Sequence, residues 1–355
     1  MKSLTDYLAA TGNEFAAIAE DGIAAGDVSG FIDTGSYSLN ALISGSLYGG
    51  IASGKGLGLA AESSVGKTFL ALAAVYQFLK LNPDGLVIIF ESESAISKKM
   101  MQERGLDTTR IGVVPVVTLQ EFRNQAIKII SNYEKEDPKK RKKLMFVLDS
   151  LGMLSTDKEI TDAEEGKNVK DMTRASLVRS AFRVITLRLG RADIPLIITN
   201  HVYANVTSFV GGNEVSGGGG FKYAASTILT MTKAQDKDGD TVRGAIVTCT
   251  TYKSRLTQEK LKAKTRILYK GGLDRYYGLL PIAEEAGVVR KVSTKYEFVD
   301  DGTKAFEKSI NNDGAKYWTK SRLEAVEEYV KVKFTYDSSQ EGDEEVEDNE
   351  TEANS

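Results

Sequence analysis

Cysteine and histidine occur once each, as Cys249 and His201. That excludes disulfide frameworks, zinc sites built from Cys and His, and any catalytic triad needing a second histidine. Cys249 lies in the β-rich run 245–250 and reads as a small buried strand residue, in keeping with a reducing cytoplasm. No run of about 18 apolar residues occurs, and the opening residues carry no apolar stretch of signal-peptide length, so a protein neither secreted nor membrane-spanning is expected. Proline is scarce at 5 residues, against 33 glycines, 41% hydrophobic and 27% charged residues, a composition that is globular rather than fibrous or disordered.

A chain of 355 residues predicts one large domain of about 250 residues with smaller terminal modules. The net charge of −3 conceals an asymmetry, because residues 337–355 hold nine acids and no base. Without those nine charges the rest of the chain stands at +6. A mildly basic body with an acidic tail suits a polyanion binder whose tail competes for the basic surface; a solvated, disordered appendage that aids solubility fits equally. The run Lys139–Lys143 follows acids and abuts a buried strand, and reads as a solvated loop.

From Gly56 to Lys270 short β-rich apolar runs alternate with longer helical patterns, the mark of a mostly parallel sheet covered on both faces. Strands are expected at 57–61, 86–90, 111–117, 144–149, 195–200, 226–231, 245–252 and 265–269. Helices are expected at 68–80, stopped by Asn82-Pro83, and at 119–133 and 174–189. Residues 1–33 form a helical lead-in too small to fold alone.

Ala61-Glu62-Ser63-Ser64-Val65-Gly66-Lys67-Thr68 has the Walker A spacing, with Ala61 where the pattern has Gly. An apolar strand precedes it and a helix of good formers follows, so backbone amides can surround phosphate oxygens. Lys67 would neutralise the β- and γ-phosphates and Thr68 would ligate Mg²⁺. A second strand ends in Asp149, placed to hold the metal or its water. A third runs into Glu91-Ser92-Glu93, where either acid could orient or deprotonate a water. His201 follows another apolar strand and opens a glycine-rich stretch to Phe221, long enough to be functional; there it could sense the γ-phosphate.

These features, with Thr34-Gly35-Ser36-Tyr37-Ser38-Leu39-Asn40, Leu148-Asp149-Ser150-Leu151-Gly152, Ile198-Thr199-Asn200-His201 and Lys253-Ser254-Arg255, resemble the RecA/recombinase family, most closely its UvsX-type strand-exchange branch of T-even-like phages. The resemblance spans about residues 34–292. It implies an α/β RecA-type P-loop ATPase core at 34–270, an N-terminal protomer-packing arm at 1–33, a small C-terminal α/β region at 271–336 and a disordered acidic tail at 337–355.

By the same resemblance Glu93 is the catalytic base and His201 couples nucleotide to DNA. Loops near 155–173 and 202–220 bind DNA, with Met172, Arg174, Arg183, Phe209, Gly211 and Gly212 as contacts. Lys253 and Arg255 match basic residues that reach the γ-phosphate on the neighbouring protomer. The implied activity is ATP·Mg²⁺-dependent filament formation on single-stranded DNA and strand exchange with homologous duplex, aided by a single-strand-binding protein and a loading mediator. A RecA-fold ring helicase and a non-hydrolysing filament scaffold are the rival readings. Two departures, the methyl of Ala61 and Met100 where the family often has an adenine-stacking tyrosine, predict modest nucleotide affinity.

Overall fold

The architecture is taken from a computed structural model that describes residues 3–23, 25–167, 171–204, 213–215 and 220–336, the backbone alone at 203–204 and 213–215. The first helix, α1 (Leu4–Ala9), starts on a capping box between Ser3 and Asp6. A short antiparallel pair, β1 (Phe31–Ile32) and β2 (Ile51–Ala52), brackets α2 (Tyr37–Ser44). Then β3 (Gly56–Ala61), α3 (Lys67–Leu81), β4 (Leu86–Glu91), α4 (Lys98–Glu103), β5 (Ile111–Pro115), α5 (Leu119–Glu134) and β6 (Leu144–Asp149) follow in βα alternation. The alternation continues through α6 (Asp157–Glu164), α7 (Arg174–Ala192), β7 (Leu196–Ala204), β8 (Asn213–Val215), α8 (Phe221–Ala224) and β9 (Thr227–Asp238). An antiparallel arm, β10 (Thr241–Lys253), β11 (Lys262–Leu268) and β12 (Gly272–Leu273), closes the core.

One ten-stranded sheet results, ordered β12–β11–β10–β9–β3–β7–β6–β4–β5, with β8 paired to β7. The six strands from β9 to β5 run parallel. Their residues alternate between two buried faces, as a period of two requires. Val87, Ile89, Met145, Val147 and Ile197 pack with Val75 and Phe78 of α3. Phe90, Phe146 and Leu148 pack with Phe122 of α5 and Phe182 of α7; the Phe90 and Phe122 rings meet edge-on at 5.0 Å. Cys249 is fully buried in β10, and burial pushes its thiol up to about 12.

Helix ends follow local chemistry. Thr118 and Glu121 form a reciprocal capping box at the start of α5, and α3 stops at Asn82, which is extended ahead of Pro83. Within the stretch expected to be a loop at 155–173 lies α6, its start closed by Thr156 and Glu159.

A third cluster joins Ala41 and Leu47 to Leu279, Phe298, Trp318 and Val330. It is built from α9 (Leu279–Glu285), a three-stranded sheet of β13 (Val289–Val292), β14 (Lys295–Phe298) and β15 (Lys304–Ala305), then α10 (Glu307–Asn312), α11 (Gly314–Tyr317) and α12 (Lys320–Lys333). Glu327 ties α12 to the core, its carboxylate accepting from Ser46 Oγ and the Leu47 amide, both at 2.6 Å. Past α12 the chain runs beside Gln258, whose amide donates to Phe334 O at 2.9 Å and whose Nε2 donates to Thr335 O at 3.1 Å. Among the described residues no helix is long and apolar enough to cross a membrane. The acidic residues 337–355 lie outside the described residues.

Candidate functional site

Parallel strands deliver their carboxyl ends to one edge of the sheet, and β3, β7, β6 and β4 are neighbours there. Ala61 on β3 is level with His201 on β7, and Glu91 on β4 with Asp149 on β6. The P-loop leaves β3 at Ala61, which is extended. The turn falls instead on Ser64 at φ 61° and Gly66 at φ 119°. The methyl of Ala61 therefore sits on no positive-φ backbone; Gly66 is where a side chain would be resisted. Helix α3 starts at Lys67 with no side-chain cap, leaving its first amides, with those of exposed Glu62, Ser63 and Ser64, open to an anion.

Lys67 is buried, its Nζ donating to the carbonyls of Ala61 at 3.0 Å and Glu62 at 2.9 Å. Opposite it, Asp149 accepts from Thr68 Oγ1 at 2.7 Å and from Thr199 Oγ1. Burial pulls the Lys67 ammonium below its ordinary range and pushes the Asp149 carboxyl above its own, despite the hydrogen bonds from Thr199 and Thr68. Both charges are under-compensated, one suited to an anion and the other to a cation. Among the described residues no cluster of three or more His, Cys, Asp or Glu could hold a metal alone. A cation at Thr68 and Asp149 would share phosphate oxygens with the protein, the usual arrangement for Mg²⁺.

The two candidate glutamates part company. Glu91 turns back, its Oε1 accepting the amides of Glu93 at 3.1 Å and Ala95 at 2.8 Å, so it fixes the turn. Glu93 faces the site: its Oε1 accepts from Ser150 Oγ and lies 2.7 Å from His201 Nε2. Burial alone would raise the Glu93 carboxyl, but the Ser150 and His201 hydrogen bonds outweigh it and hold the group below the ordinary range. Beside the P-loop, a cleft of about 410 Å³ is walled in part by Phe69, Arg104, Ile267 and Tyr269, with the Arg104 guanidinium 5.2 Å from the centre of the Phe69 ring. Met100 packs on the hydrophobic core instead.

The two expected DNA-binding loops leave from one place. Gly220 abuts α7 so closely that a Cβ there would fall 2.9 Å from Ala175 O and 3.0 Å from Val178, which sets the end of the second stretch beside the end of the first. Met172 is 85% exposed, and Arg183 is exposed on α7. One turn earlier, Arg179 shares that exposed face. Phe209, Gly211 and Gly212 lie outside the described residues.

Arg174, expected to border the first DNA-binding stretch, is engaged within the protein. Its guanidinium donates to the carbonyls of Leu154, Leu151 and Gly152, the last two at 3.2 Å, and pairs with Glu159 at 3.5 Å. It braces the turn after β6 and the start of α6. Helix α6 is itself acidic, with Asp157, Glu159, Asp162 and Glu164. Asp171 fastens the end of this stretch: hydrogen bonds from Thr173 and Thr156 hold its carboxyl at about 2, below the ordinary value. A folded pKa below the unfolded one gives stability fully present above the unfolded value of 3.8 and lost progressively as pH falls from there through about 2. Asp171→Asn should therefore raise proteolytic cleavage between Thr156 and Thr173 at pH 7, while the parent keeps its protection down to about pH 4 and loses it progressively below that.

Lys253 and Arg255 occupy the other edge. Lys253 is level with Ile228, and Ile228 with Gly58, about 10 Å of strand before Ala61. Lys253 Nζ donates to the carbonyls of Lys222 at 2.5 Å and Ala225 at 2.7 Å. Arg255 is exposed and makes no hydrogen bond or ion pair among the described residues.

Residues 18–274 match the family model described as the RecA N-terminal domain. The chain belongs to the RecA family. It is 34% identical over 269 residues to the recombination and repair protein of Enterobacteria phage T4, covering 75% of this chain and 67% of that protein. It is also 26% identical over 292 residues to Protein RecA of Chlorobium limicola, covering 81% of this chain and 79% of that one. Every candidate residue from Ala61 to Arg255 falls inside the RecA-family match. Ser150 and Thr199 stand in the motifs that carry the resemblance, but sequence reasoning gave them no role; their hydroxyls hold Glu93 and Asp149. It also missed Arg179, whose four-residue spacing from Arg183 was legible.

Proposed function

We propose that this RecA-family chain is an ATP-dependent DNA recombinase that coats single-stranded DNA as a helical filament and exchanges strands with homologous duplex. The observation that carries it is the division of charge. Lys67, Asp149, Glu93 and His201 converge at one edge of the sheet, while Lys253 and Arg255 stand at the opposite edge, clear of their own P-loop. Head-to-tail stacking would bring the second set to a neighbour's nucleotide, and such a contact repeats into an open helix.

In this reading the amides of the P-loop bind the β- and γ-phosphates, and Lys67 leaves its carbonyl partners to meet them. Thr68 and Asp149 hold Mg²⁺, which supplies charge neutralisation at the phosphates. Glu93 orients the attacking water and takes its proton. Phe69, Ile267 and Tyr269 face the base. Met172, Arg179 and Arg183, with Phe209 and the glycines 211–212, meet single-stranded DNA through phosphate and stacking contacts that carry no sequence preference. Homology is read by base pairing alone. Localisation in a host cytoplasm, and help from a single-strand-binding protein and a loading mediator, belong to the same proposal, as does the division into arm, core and C-terminal region.

His201 joins the two activities: it touches Glu93 and begins the segment that leads into the second DNA-binding stretch. DNA binding there is transmitted by shifting His201 off the carboxylate. His201→Ala should keep nucleotide binding but lose DNA stimulation of ATPase, about 10-fold or more if the coupling exceeds ~1.4 kcal/mol. Steady-state ATPase with and without single-stranded DNA reads this; undiminished stimulation contradicts it. The activity itself is tested by strand exchange with ATP on homologous and heterologous duplex. Joint molecules only with the homologous duplex are expected. Electron microscopy with ATP and single-stranded DNA should show open filaments; uniform closed rings would favour a helicase.

A further inference from the structure

Strand β9 outruns its neighbour β3. Thr230 is level with Ala60 near the end of β3, and β9 continues to Asp238, so Lys233 stands three residues, about 10 Å, farther on and overhangs the P-loop. Side chains alternate along a strand, which puts Lys233 on the face of Met231, and Met231 packs in the same core cluster as Val75 and Phe78 of α3. That is the face on which the P-loop crosses into α3.

Lys233 Nζ donates to Ser64 O at 2.5 Å. Ser64 is the P-loop residue that takes a left-handed backbone without being glycine, at φ 61°, so the ammonium braces the strained point of the loop. Lys233 is exposed and makes no other hydrogen bond or ion pair among the described residues, which leaves its remaining donors open to a ligand.

The same side chain borders the cleft of about 410 Å³ that Phe69 and Tyr269 wall. Only two of the residues around that cleft are charged, Arg104 and Lys233, and both are cations. Arg104 stands with Phe69, whereas Lys233 stands with Ser64 where the cleft meets the P-loop. With the β- and γ-phosphates on the P-loop amides and Lys67, and the base against Tyr269, the part of a nucleotide that passes Lys233 is its α-phosphate. An ammonium anchored on a carbonyl, with further donors free, suits a charged phosphate oxygen.

We propose that Lys233 is a nucleotide-binding residue that grips the α-phosphate while it holds the P-loop at Ser64. This rests on reading the cleft as the nucleotide's place. Two lysines then divide the triphosphate: Lys67 meets the end that hydrolysis alters, and Lys233 meets the part that substrate and product share. Lys233 therefore holds ADP as firmly as ATP and slows release of the product.

Nucleotide binding by the full-length chain, read by displacement of a fluorescent ADP analogue, tests this with ATP, ADP and inorganic pyrophosphate as competitors. Lys233→Ala should weaken ATP and ADP by about tenfold each, the scale of a hydrogen bond to a charged group, and speed ADP dissociation to match. Pyrophosphate fills the β/γ cradle and has no nucleoside to place a phosphate beside Lys233, so its affinity should change by less than about twofold. Lys233→Arg keeps the charge and should restore most of the loss. Unchanged ATP and ADP affinities, a loss confined to ATP, or an equal loss for pyrophosphate would overturn the proposal; the last would leave Lys233 as a brace of the loop alone. Lys67→Ala separates this from the reading beneath it. If Lys67→Ala loses ATP while Lys233→Ala does not, the nucleotide site stands and the proposal fails; if Lys67→Ala binds ATP as the parent does, the cleft is not the nucleotide's place.

Discussion

Glu93→Gln is expected to reduce single-stranded-DNA-stimulated ATPase by about 10²–10⁴-fold, the range for loss of a general base. Glutamine keeps the size and one acceptor oxygen, so contact with either Ser150 or His201 survives and nucleotide binding and filament formation should persist. Two features assign the role here rather than to Glu91. The Glu91 carboxylate is spent on the amides of Glu93 and Ala95, whereas Glu93 lies among Lys67, Ser150 and His201 and is held ionised. Glu91→Gln should instead loosen the turn and lower thermal stability by about 1 kcal/mol, with far less effect on turnover. Single-turnover hydrolysis beside a fluorescent-nucleotide titration separates the two. Equal ATPase in parent and Glu93→Gln would remove Glu93 from catalysis.

Arg255→Ala should cost about 10³-fold in turnover, the lower end of what a cationic finger supplied in trans contributes to phosphoryl transfer. Arg255 suits this test better than Lys253, because it has no hydrogen bond within its own protomer among the described residues. Lys253 is bonded to the carbonyls of Lys222 and Ala225, so its removal would also disturb the segment that precedes β9. The Arg255→Ala chain should bind nucleotide normally as a free protomer and fail only once assembled. A sedimentation assay for filaments, run alongside ATPase, makes that distinction; a defect already present in nucleotide binding by the free protomer would place Arg255 in its own site.

Much of the core was legible because it follows from local rules. Strands β3, β4 and β6 and helices α3, α5 and α7 begin and end within three residues of expectation, since each is an apolar run or helical pattern bounded by a proline, a capping residue or a charge. Asp149 was legible as the last residue of such a run. The strand pattern alone did not separate Glu93 from Glu91, and only the family resemblance pointed to Glu93, because the choice depends on which carboxylate the turn's own amides capture. The bonding of Arg174 was illegible for a related reason. Its donors are taken by carbonyls of a turn twenty residues away, and nothing in its neighbourhood signals that. Helix α6 escaped notice because it is eight residues long and held mainly by its caps, with little apolar periodicity to betray it. The backbone of the loop could not be read from the motif either: its positive φ angles fall on Ser64 and Gly66 and not on Ala61.

The central claim is that one catalytic site is assembled from two protomers, and mixing two inactive variants tests it most directly. Glu93→Gln and Arg255→Ala chains, each inactive alone, are combined in equal amounts on single-stranded DNA with ATP. Random head-to-tail order pairs an intact Glu93 with a neighbour's intact Arg255 at about one interface in four. ATPase should therefore recover to about a quarter of the parent rate. If both groups served the nucleotide of their own protomer, every site in the mixture would lack one of them. An unrestored rate in filaments that contain both variants would contradict the account.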